Sequence, residues 1–297
     1  MTTSKRTDFL NALERIHRSN ISVTDIAAQY WCEKQMELNH IHGAKITKEI
    51  REGRAMHEHM ESEVNEQISL QPKGYTDALY KNLYSSYKAL EALEAHGKTR
   101  EVQIYGSLSG YRIVGKLDEL DSEGSETMII EDKTRGSDTV PSDAQALTHK
   151  VQVLIYKKML QDIKDGRYTA DNFKSSYAVR TMLLTPEFTR QLDALGIEKQ
   201  LQNVASIADA FFASAIKING VSDTLCIRYI NQYTGKQTNL IKFKYDEKEV
   251  QEIVRYVMKY WSGGREPQPV PEAEKWKCNM CRFFGNECKI WWPQAGL

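Results

Sequence analysis

The sequence lacks the long apolar segments that membrane-spanning proteins require. No run in its 297 residues approaches the roughly 20 apolar residues of a transmembrane helix. Proline and glycine are also scarce, at 7 and 17 residues. Together with a hydrophobic fraction of 41%, this scarcity excludes collagen-like, mucin-like and wholly disordered proteins. The composition is that of a globular protein.

An excess of charge of either sign is missing as well. Lysine plus arginine and aspartate plus glutamate each number 40, so net charge gives no argument for a polyanionic partner. It does not exclude one, because carboxylates at a metal site and cations along a groove cancel in the sum. Residues 1–18 contain no apolar segment of the signal-peptide type. We therefore expect an intracellular protein, in the nucleus or mitochondrion of a eukaryote and otherwise cytoplasmic, with no membrane partner.

Cysteine is rare and odd in number. Cys32 and Cys226 stand alone, whereas Cys278, Cys281 and Cys288 crowd the last twenty residues. Without a secretory signal we do not expect structural disulfides, and clustered thiols then point to metal binding. Cys226 falls in a predicted strand and is expected in the core.

Hydrophobic periodicity predicts a helical first third followed by a mixture of strands and helices. The predicted helices cover residues 5–18, 22–38, 47–67, 76–96, 143–164, 186–218 and 246–261. The predicted strands cover residues 100–107, 111–121, 127–134, 175–184, 225–233 and 238–245, with a turn at Ser109-Gly110. Ser22 and Thr24 are both candidate caps for the second helix. No repeat or low-complexity linker divides the sequence, so we expect one domain over residues 1–297.

The first strands bring two carboxylates and a lysine toward one point. Side chains alternate along a strand, so Glu131 and Lys133 share one face while Asp132 faces the other way. Asp118 lies late on the preceding strand. Convergent carboxylates form a hard oxygen site for magnesium or manganese, and the lysine can orient a water or stabilise negative charge on a phosphate. Alone this motif is weak, because a solvated, charged sheet face has the same pattern.

Two further motifs flank these strands. Gly53-x-x-x-His57 lies upstream on a predicted helix, and His59 is out of register with that glycine. Gln152-x-x-x-Tyr156 lies downstream on another helix, where residues four apart share a face. In this order the motifs GxxxH, GxxD, (D/E)xK and QxxxY resemble those of the PD-(D/E)XK nuclease superfamily and, within it, the RecB-like nucleases.

The resemblance implies a fold and a set of roles. The fold is a restriction-endonuclease-like α/β fold, with a central mixed sheet flanked by helices and a catalytic core over residues 100–165. The implied metal ligands are His57, Asp118, Glu131 and the backbone carbonyl of Asp132, for Mg²⁺ or Mn²⁺. The implied catalytic residues are Asp118, Glu131, Lys133 and Gln152, with Gln152 and Tyr156 supporting the site and the nucleic acid.

The cysteines narrow the resemblance. Cys278-x-x-Cys281 and Cys288 supply three thiolates, and Cys32 is the candidate for the fourth. Spacing alone fits zinc and iron–sulfur equally, since four thiolates suit both. The split pattern resembles that of iron–sulfur RecB-like nucleases and implies a 4Fe-4S cluster. Six residues separate Cys281 from Cys288 where that subgroup usually has five, and Gly285 could absorb the extra residue.

Within this subgroup, segments spread over residues 22–278 resemble the exonuclease V family. They are SVTD at 22–25, WCE at 31–33, VGKLDEL at 114–120, KTR at 133–135, QVLIYK at 152–157 and WKC at 276–278. The resemblance implies a metal-dependent exonuclease that needs a free end of single-stranded DNA, prefers 5' ends, and releases short oligonucleotides in DNA repair or replication. It further implies a monomer, a single-strand-binding protein as a partner, and a cluster joining residues 22–38 to residues 276–290.

Contacts with nucleic acid can be sought among cations and aromatic rings, because a basic groove and stacking platforms hold a single strand. Tyr156 is the candidate for stacking, and Arg51, Arg54 and Arg135 are candidates for contacts with DNA. Further cations near the predicted catalytic elements are Lys150, Lys157 and Arg180.

Two alternatives stay open. A CRISPR-associated end-processing nuclease shares every motif, although the helix predicted over 186–218 and the full-chain similarity favour exonuclease V. The second alternative is a non-catalytic iron–sulfur module that binds DNA. The complete set of site residues argues against it, because a module without turnover has no physical need to hold mutually repelling carboxylates together.

Overall fold

The structure of the chain is a computed structural model that describes residues 11–65 and 68–291. Its helices are α1 (Ala12–Arg15), α2 (Val23–His42), α3 (Lys48–Ser62), α4 (Tyr75–His96), α5 (Asp143–Lys164), α6 (Ala170–Ser176), α7 (Pro186–Ala194), α8 (Val204–Lys217) and α9 (Glu247–Trp261). Its strands are β1 (Ile21–Ser22), β2 (Lys98–Leu108), β3 (Tyr111–Glu123), β4 (Glu126–Arg135), β5 (Gly220–Val221), β6 (Thr224–Asn231) and β7 (Gln237–Lys244). Short 3₁₀ helices span Val179–Thr181, Lys199–Leu201 and Glu272–Met280.

The strands of the described residues form one mixed sheet, as the sequence predicts. β2 and β3 are an antiparallel hairpin, β3 and β4 are antiparallel, β4 and β6 are parallel, and β6 and β7 are antiparallel. The short strands β1 and β5, which the sequence analysis missed, add parallel pairs to β3 and β4. The result is a mixed α/β architecture in which helices flank a mixed sheet.

The predicted helix starts agree with side-chain caps. Ser22 rather than Thr24 caps α2, and its hydroxyl accepts the Asp25 N–H at 3.0 Å. Thr47 caps α3 in the same way. The prediction of a helix over 47–67 is longer than α3, and positions 66–67 lie outside the described residues. Similarly, only residues from 11 onward of the helix predicted over 5–18 are described, and α1 is a single turn.

The strand predicted over 175–184 is wrong. Its alternating apolar residues lie instead at the end of α6 and in a 3₁₀ turn, separated by Ala178 with a left-handed φ of 52°. Phe173 and Tyr177 are four residues apart, so they share one helix face and stack with ring centroids 4.5 Å apart. Both rings pack against Tyr105 of β2. Aromatic packing at helical spacing therefore prevails over the β propensity of the segment.

The single helix predicted over 186–218 is also wrong, because it is two helices. α7 ends in a Schellman-type cap, where Gly196 has φ 68° and the Ile197 N–H donates to the Leu192 carbonyl at 3.0 Å. Asn203 then begins α8 by accepting the Ser206 N–H at 2.8 Å. The apolar periodicity continues across the break, which concealed it.

Helices α2, α5 and α8 pack together, and their apolar residues join those of the sheet in one contiguous core. α5 lies so deep that all residues from Val151 to Lys157 are buried. Every helix in the described part of the chain is too short or too polar to cross a membrane.

A cluster of buried charges lies on the face of the sheet opposite Glu131 and Lys133. Arg100, 2% exposed, donates to Glu119 and to Asp132, the latter at 2.5 Å. Arg228 donates to the same two carboxylates at 2.7–3.2 Å. These guanidiniums hold the pKa of Asp132 below its usual value against the opposing effect of burial. The cluster ties β2, β3, β4 and β6 together through their side chains.

We predict that Glu119→Gln destabilises the protein by about 3–5 kcal/mol, because removing one partner leaves buried guanidinium charge uncompensated. Urea unfolding followed by circular dichroism measures this change. Glu187→Gln, which removes a carboxylate from the exposed pair with Arg190, is the control and should leave the midpoint unchanged. An unchanged urea midpoint in Glu119→Gln would contradict the claim that the buried ion pairs stabilise the fold.

Candidate functional site

The candidate site lies where β3 and β4 separate. The two strands pair from Glu123↔Glu126 to Glu119↔Ile130, and the pairing stops one residue before Asp118 and Glu131 face each other. The Asp118 Oδ2 atom spans the gap by accepting the Asp132 N–H at 2.8 Å. The separation leaves room for both carboxylates above the sheet on the same face.

Helix α3 crosses this face and touches β4 at Gly53. A β-carbon on Gly53 would lie 2.7 Å from Thr134 Oγ1, so only glycine allows the helix to approach this closely. His57 follows one helical turn later. Its Nδ1 atom lies 3.2 Å from Glu101 Oε1 and 3.6 Å from Asp118 Oδ1. In the GxxxH motif, Gly53 therefore allows the close approach of the helix, and His57 supplies the candidate ligand atom.

Glu101 is the site residue that the sequence analysis missed. Ligand atoms of His57, Glu101 and Asp118 lie within 4.8 Å of one another, a group that could hold a metal ion. The second Glu101 oxygen accepts from Lys116 Nζ at 2.5 Å. Glu101 has a left-handed φ of 57°, which is rare for a non-glycine residue in a strand and is typical of functional positions.

A signal for Glu101 exists in the sequence. The two-residue turn at Ser109-Gly110 fixes the hairpin register, with Leu108 opposite Tyr111. Counting seven residues away from the turn along each strand, from Leu108 to Glu101 and from Tyr111 to Asp118, brings the two acids opposite each other. The register therefore identifies a third carboxylate that a search for motifs alone does not find.

Lys133 connects Glu131 to the helix α5. Its ammonium donates to Glu131 Oε1 at 2.7 Å and to Gln152 Oε1 at 2.9 Å. Gln152 in turn donates to the Tyr156 hydroxyl at 3.1 Å. The second Glu131 oxygen, Oε2, is buried and has no hydrogen-bond partner within the described part of the chain. A buried carboxylate oxygen without a partner is costly, and a cation would satisfy it.

Burial and mutual repulsion shift the protonation of the acids. Burial, followed by the charge of Asp118, raises the pKa of Glu131 to about 8. Burial also raises the pKa of Asp118, although His57 and Lys133 oppose it. Burial alone would lower the pKa of Lys133, but the two carboxylates outweigh it and the pKa is raised. Burial is thus the largest cause of both raised carboxyl pKa values, and a bound cation would lower them again.

A cavity of about 830 Å³ between α3 and the sheet contains these groups. Its lining includes the site residues His57, Glu101, Asp118, Glu131, Asp132, Lys133, Gln152 and Tyr156. Gln232, which lines the cavity, donates from Nε2 to Glu52 Oε2 of α3 at 3.2 Å. His59, which the motif register rejects, is exposed and faces Glu63.

The candidates for nucleic-acid contact lie in different environments. Arg54 is exposed and lines the cavity, whereas Arg51 is exposed outside its lining. Arg135 donates to Gln145 and Thr139 near the end of β4. Tyr156 is only 2% exposed and its ring lies directly beneath Gly115, so it supports Gln152 from below and offers no free face for stacking.

Two of the additional cations are occupied by protein groups. Lys157 is 2% exposed and donates to the Val221 carbonyl at 2.7 Å, so the expectation that it faces a groove is wrong. Lys150 donates to Glu249 at 2.6 Å. Arg180 is exposed on a 3₁₀ turn and is not among the residues that line the cavity.

Four of the five cysteines border one small cavity. Its lining contains Cys32, Cys278, Cys281 and Cys288 among the aromatic and apolar side chains of Trp31, Leu38, Val270, Phe284 and Trp291. Helix α2 is interrupted at Cys32, whose backbone is extended, and the Gln35 N–H donates to the Cys32 sulfur at 3.4 Å. Gly285, with φ 82°, turns the chain between Cys281 and Cys288. Cys226 is buried in the sheet, as predicted.

The two ends of the described chain meet beside this cavity. Glu33 is 1% exposed, and its carboxylate receives Arg265 Nη2 at 2.6 Å and the Gln268 N–H at 2.8 Å. Lys34 N–H donates to the Gln268 carbonyl at 3.1 Å. Lys277 lies with its ammonium 4.5 Å from the centre of the Trp31 ring. These contacts hold the C-terminal cysteines against α2.

We predict that Gly53→Ala weakens binding of Mn²⁺ about 10- to 100-fold, because the added methyl group displaces α3 and with it His57. Titration calorimetry measures the affinity. Alanine favours helices more than glycine does, so loss of helix cannot explain the effect. Adding Thr134→Ala removes the clashing oxygen and should restore binding. Equal affinity in Gly53→Ala and the unchanged protein would contradict the steric role of the glycine.

Comparison with known proteins identifies a family. The chain matches the family model of exonuclease V, described as a 5' deoxyribonuclease, over residues 10–131, 121–217 and 195–292. It is 25% identical over 285 residues to exonuclease V of Danio rerio, covering 91% of this chain and 70% of that protein. The crystal structure of SSO0001 aligns with 92% of this chain and 91% of its own at 14% identity, with a TM-score of 0.38. The chain belongs to the exonuclease V family, as its motifs predict.

Proposed function

We propose that the chain is a Mg²⁺- or Mn²⁺-dependent exonuclease that degrades single-stranded DNA from a free end, with a preference for 5' ends. Its family makes it a nuclease that acts on DNA. The observation that carries the finer proposal is the convergence of His57, Asp118, Glu131 and Lys133 in one cavity. We assign the fold around this site to the PD-(D/E)XK type, because the separated strands present the acids in the order of that motif.

The donor set fits a hard divalent cation. His57, Glu101 and Asp118 offer one nitrogen and two carboxylates, and Glu131 adds an unpaired buried oxygen. The carbonyl of Asp132 remains a proposed ligand. When bound, such a cation would activate water and offset phosphate charge.

The protein groups around the cation would position the reactants. Lys133, held between Glu131 and Gln152, presents an ammonium that can orient the attacking water or stabilise negative charge on the phosphate. Gln152 fixes the position of that ammonium and is itself fixed by the Tyr156 hydroxyl. Arg54 on the cavity wall can neutralise a neighbouring phosphate.

The dimensions of the cavity support a single strand as the substrate. Its volume of about 830 Å³ is that of a small-ligand pocket. A pocket of this size accommodates the end of one strand more readily than a paired duplex. The proposed requirement for a free end rests on the family, which is described as exonuclease V. A monomeric state, a role in DNA repair or replication and a single-strand-binding partner follow from the family resemblance.

We predict that Asp118→Asn abolishes cleavage and that Lys133→Met lowers it by about 10²- to 10⁴-fold, since each removes a charge that acts on the reacting phosphate or water. The assay compares end-labelled linear single strands, circular single strands and blunt duplexes, with Mg²⁺ or with a chelator. Asp171→Asn, which removes an exposed carboxylate paired with Lys174, is the control and should retain full activity.

Only the linear single strand should be degraded, and only with the metal. Cleavage of circles would identify an endonuclease, and substantial turnover by Asp118→Asn would contradict the assignment of the site. No cleavage of any substrate by folded protein would favour a binding module.

We further propose that Cys32, Cys278, Cys281 and Cys288 bind a 4Fe-4S cluster. All four line one cavity with few polar neighbours. Four thiolates also suit zinc, so the choice of an iron–sulfur cluster rests on the family resemblance.

We predict that Cys278→Ser loses the visible chromophore of the cluster and unfolds at lower temperature, because the C-terminal segment is then released from α2. Absorbance, iron and zinc analysis and thermal unfolding make the measurement. Cys226→Ala changes the remaining cysteine, which lies in the sheet, and should keep both iron and colour. One zinc ion and no iron per chain would refute the proposal.

A further inference from the structure

The turn between β6 and β7 presents an aromatic side chain beside the site cavity. Tyr233 lies at its tip and is 65% exposed, although large aromatic side chains usually bury most of their surface. A β-carbon on Gly136 would lie 3.6 Å from both the ring and the hydroxyl of Tyr233. Gly136 and Gln232 both line the cavity that contains the candidate metal ligands. The ring therefore stands at the rim of that cavity.

The turn that carries this ring is fixed by hydrogen bonds. The Asn231 side chain accepts the N–H groups of Tyr233 and Thr234 at 2.9 and 3.1 Å and donates to Asp138 at 2.7 Å. The Gln232 N–H donates to the Arg135 carbonyl at 2.9 Å. The exposed ring is thus held on a rigid support at the end of β4, and a ligand that stacks on it pays little to order it.

We propose that Tyr233 is a stacking platform for one nucleobase of the bound single strand. This inference rests on the proposed function and adds a subsite to it. Bases stack on aromatic rings without regard to sequence, which suits an enzyme that must move along any strand. The neighbouring Arg135 supplies positive charge for the flanking phosphates, and the inner edge of the ring lies beside Gly136 of the cavity lining.

The position of the ring sets the position of the stacked base. Gly136 follows Lys133 by three residues, or about 10 Å at the rise of a strand. At roughly 3.4 Å per stacked nucleotide, the base on Tyr233 is about three nucleotides from the phosphate that is cut. A contact at this distance strengthens binding of the strand without taking part in the chemistry.

The test measures binding of a labelled single-stranded oligonucleotide in metal-free buffer by fluorescence anisotropy. Tyr233→Ala should raise Kd roughly 5- to 150-fold, the range for loss of one stacked base. Tyr233→Phe keeps the ring and should bind within about twofold of the unchanged protein. Tyr75→Ala is the matched control, because Tyr75 is 58% exposed but begins α4, a helix that contributes no residue to the cavity lining, and it should have no effect.

A second measurement uses oligonucleotides with a single abasic site moved along the strand, in the unchanged protein and in Tyr233→Ala. The unchanged protein should lose affinity at one position about three nucleotides from the cut, and the variant should lose nothing more there. Unchanged Kd in Tyr233→Ala, or an equal further loss at every abasic position, would overturn the inference. If the unchanged protein cuts no single strand in the cleavage assay, the proposed function is wrong. If it cuts single strands but Tyr233→Ala binds them normally, only the stacking role of Tyr233 is wrong.

Discussion

The repulsion between carboxylates buried together is the constraint on which the rest of the structure depends. Asp118, Glu131 and Glu101 share one cavity, and burial raises the pKa of the first two. Such an arrangement persists only where nearby cations offset it. Lys133 of β4 and His57 of α3 lie beside these acids. A third cation, Lys116, pairs with Glu101. One acceptor of these acids is left over in the described part of the chain, the buried Glu131 Oε2 atom, and it is the feature that favours the proposed metal ion.

The short run Glu131-Asp132-Lys133 serves both faces of the sheet. Alternation along β4 places Glu131 and Lys133 in the cavity and sends the Asp132 side chain to the opposite face. There it joins Glu119 against Arg100 and Arg228. The backbone of Asp132 still belongs to the site, because its N–H fixes Asp118. Ion pairs on the opposite face of the sheet thus hold β3 and β4 in place. They preserve the geometry of the acids where these two strands separate.

Sequence reasoning succeeded where local pattern decides structure and failed where packing does. Strand alternation was enough to pair Glu131 with Lys133, and the capping side chain of Ser22 located the start of α2. The apolar periodicity of α7 and α8 is continuous, so periodicity alone does not reveal the break between them. Gly196, with its positive φ, marks that break. The choice of Tyr156 for stacking failed because Gly115 admits its ring into the core. Tyr233 lies outside every motif, and only the folded turn brings it to the cavity.

Helix α3 links the candidate metal ligand to the path of the substrate. Of its fifteen residues only Gly53 is buried, so the helix is held over the sheet by a few contacts rather than by a core. Those contacts are the close approach to Thr134, the bond from His57 to Glu101, and the bond from Gln232 to Glu52. Gln232 is also the neighbour of Tyr233 in the turn. The turn that carries Tyr233 and the helix that positions His57 are therefore joined directly by one hydrogen bond.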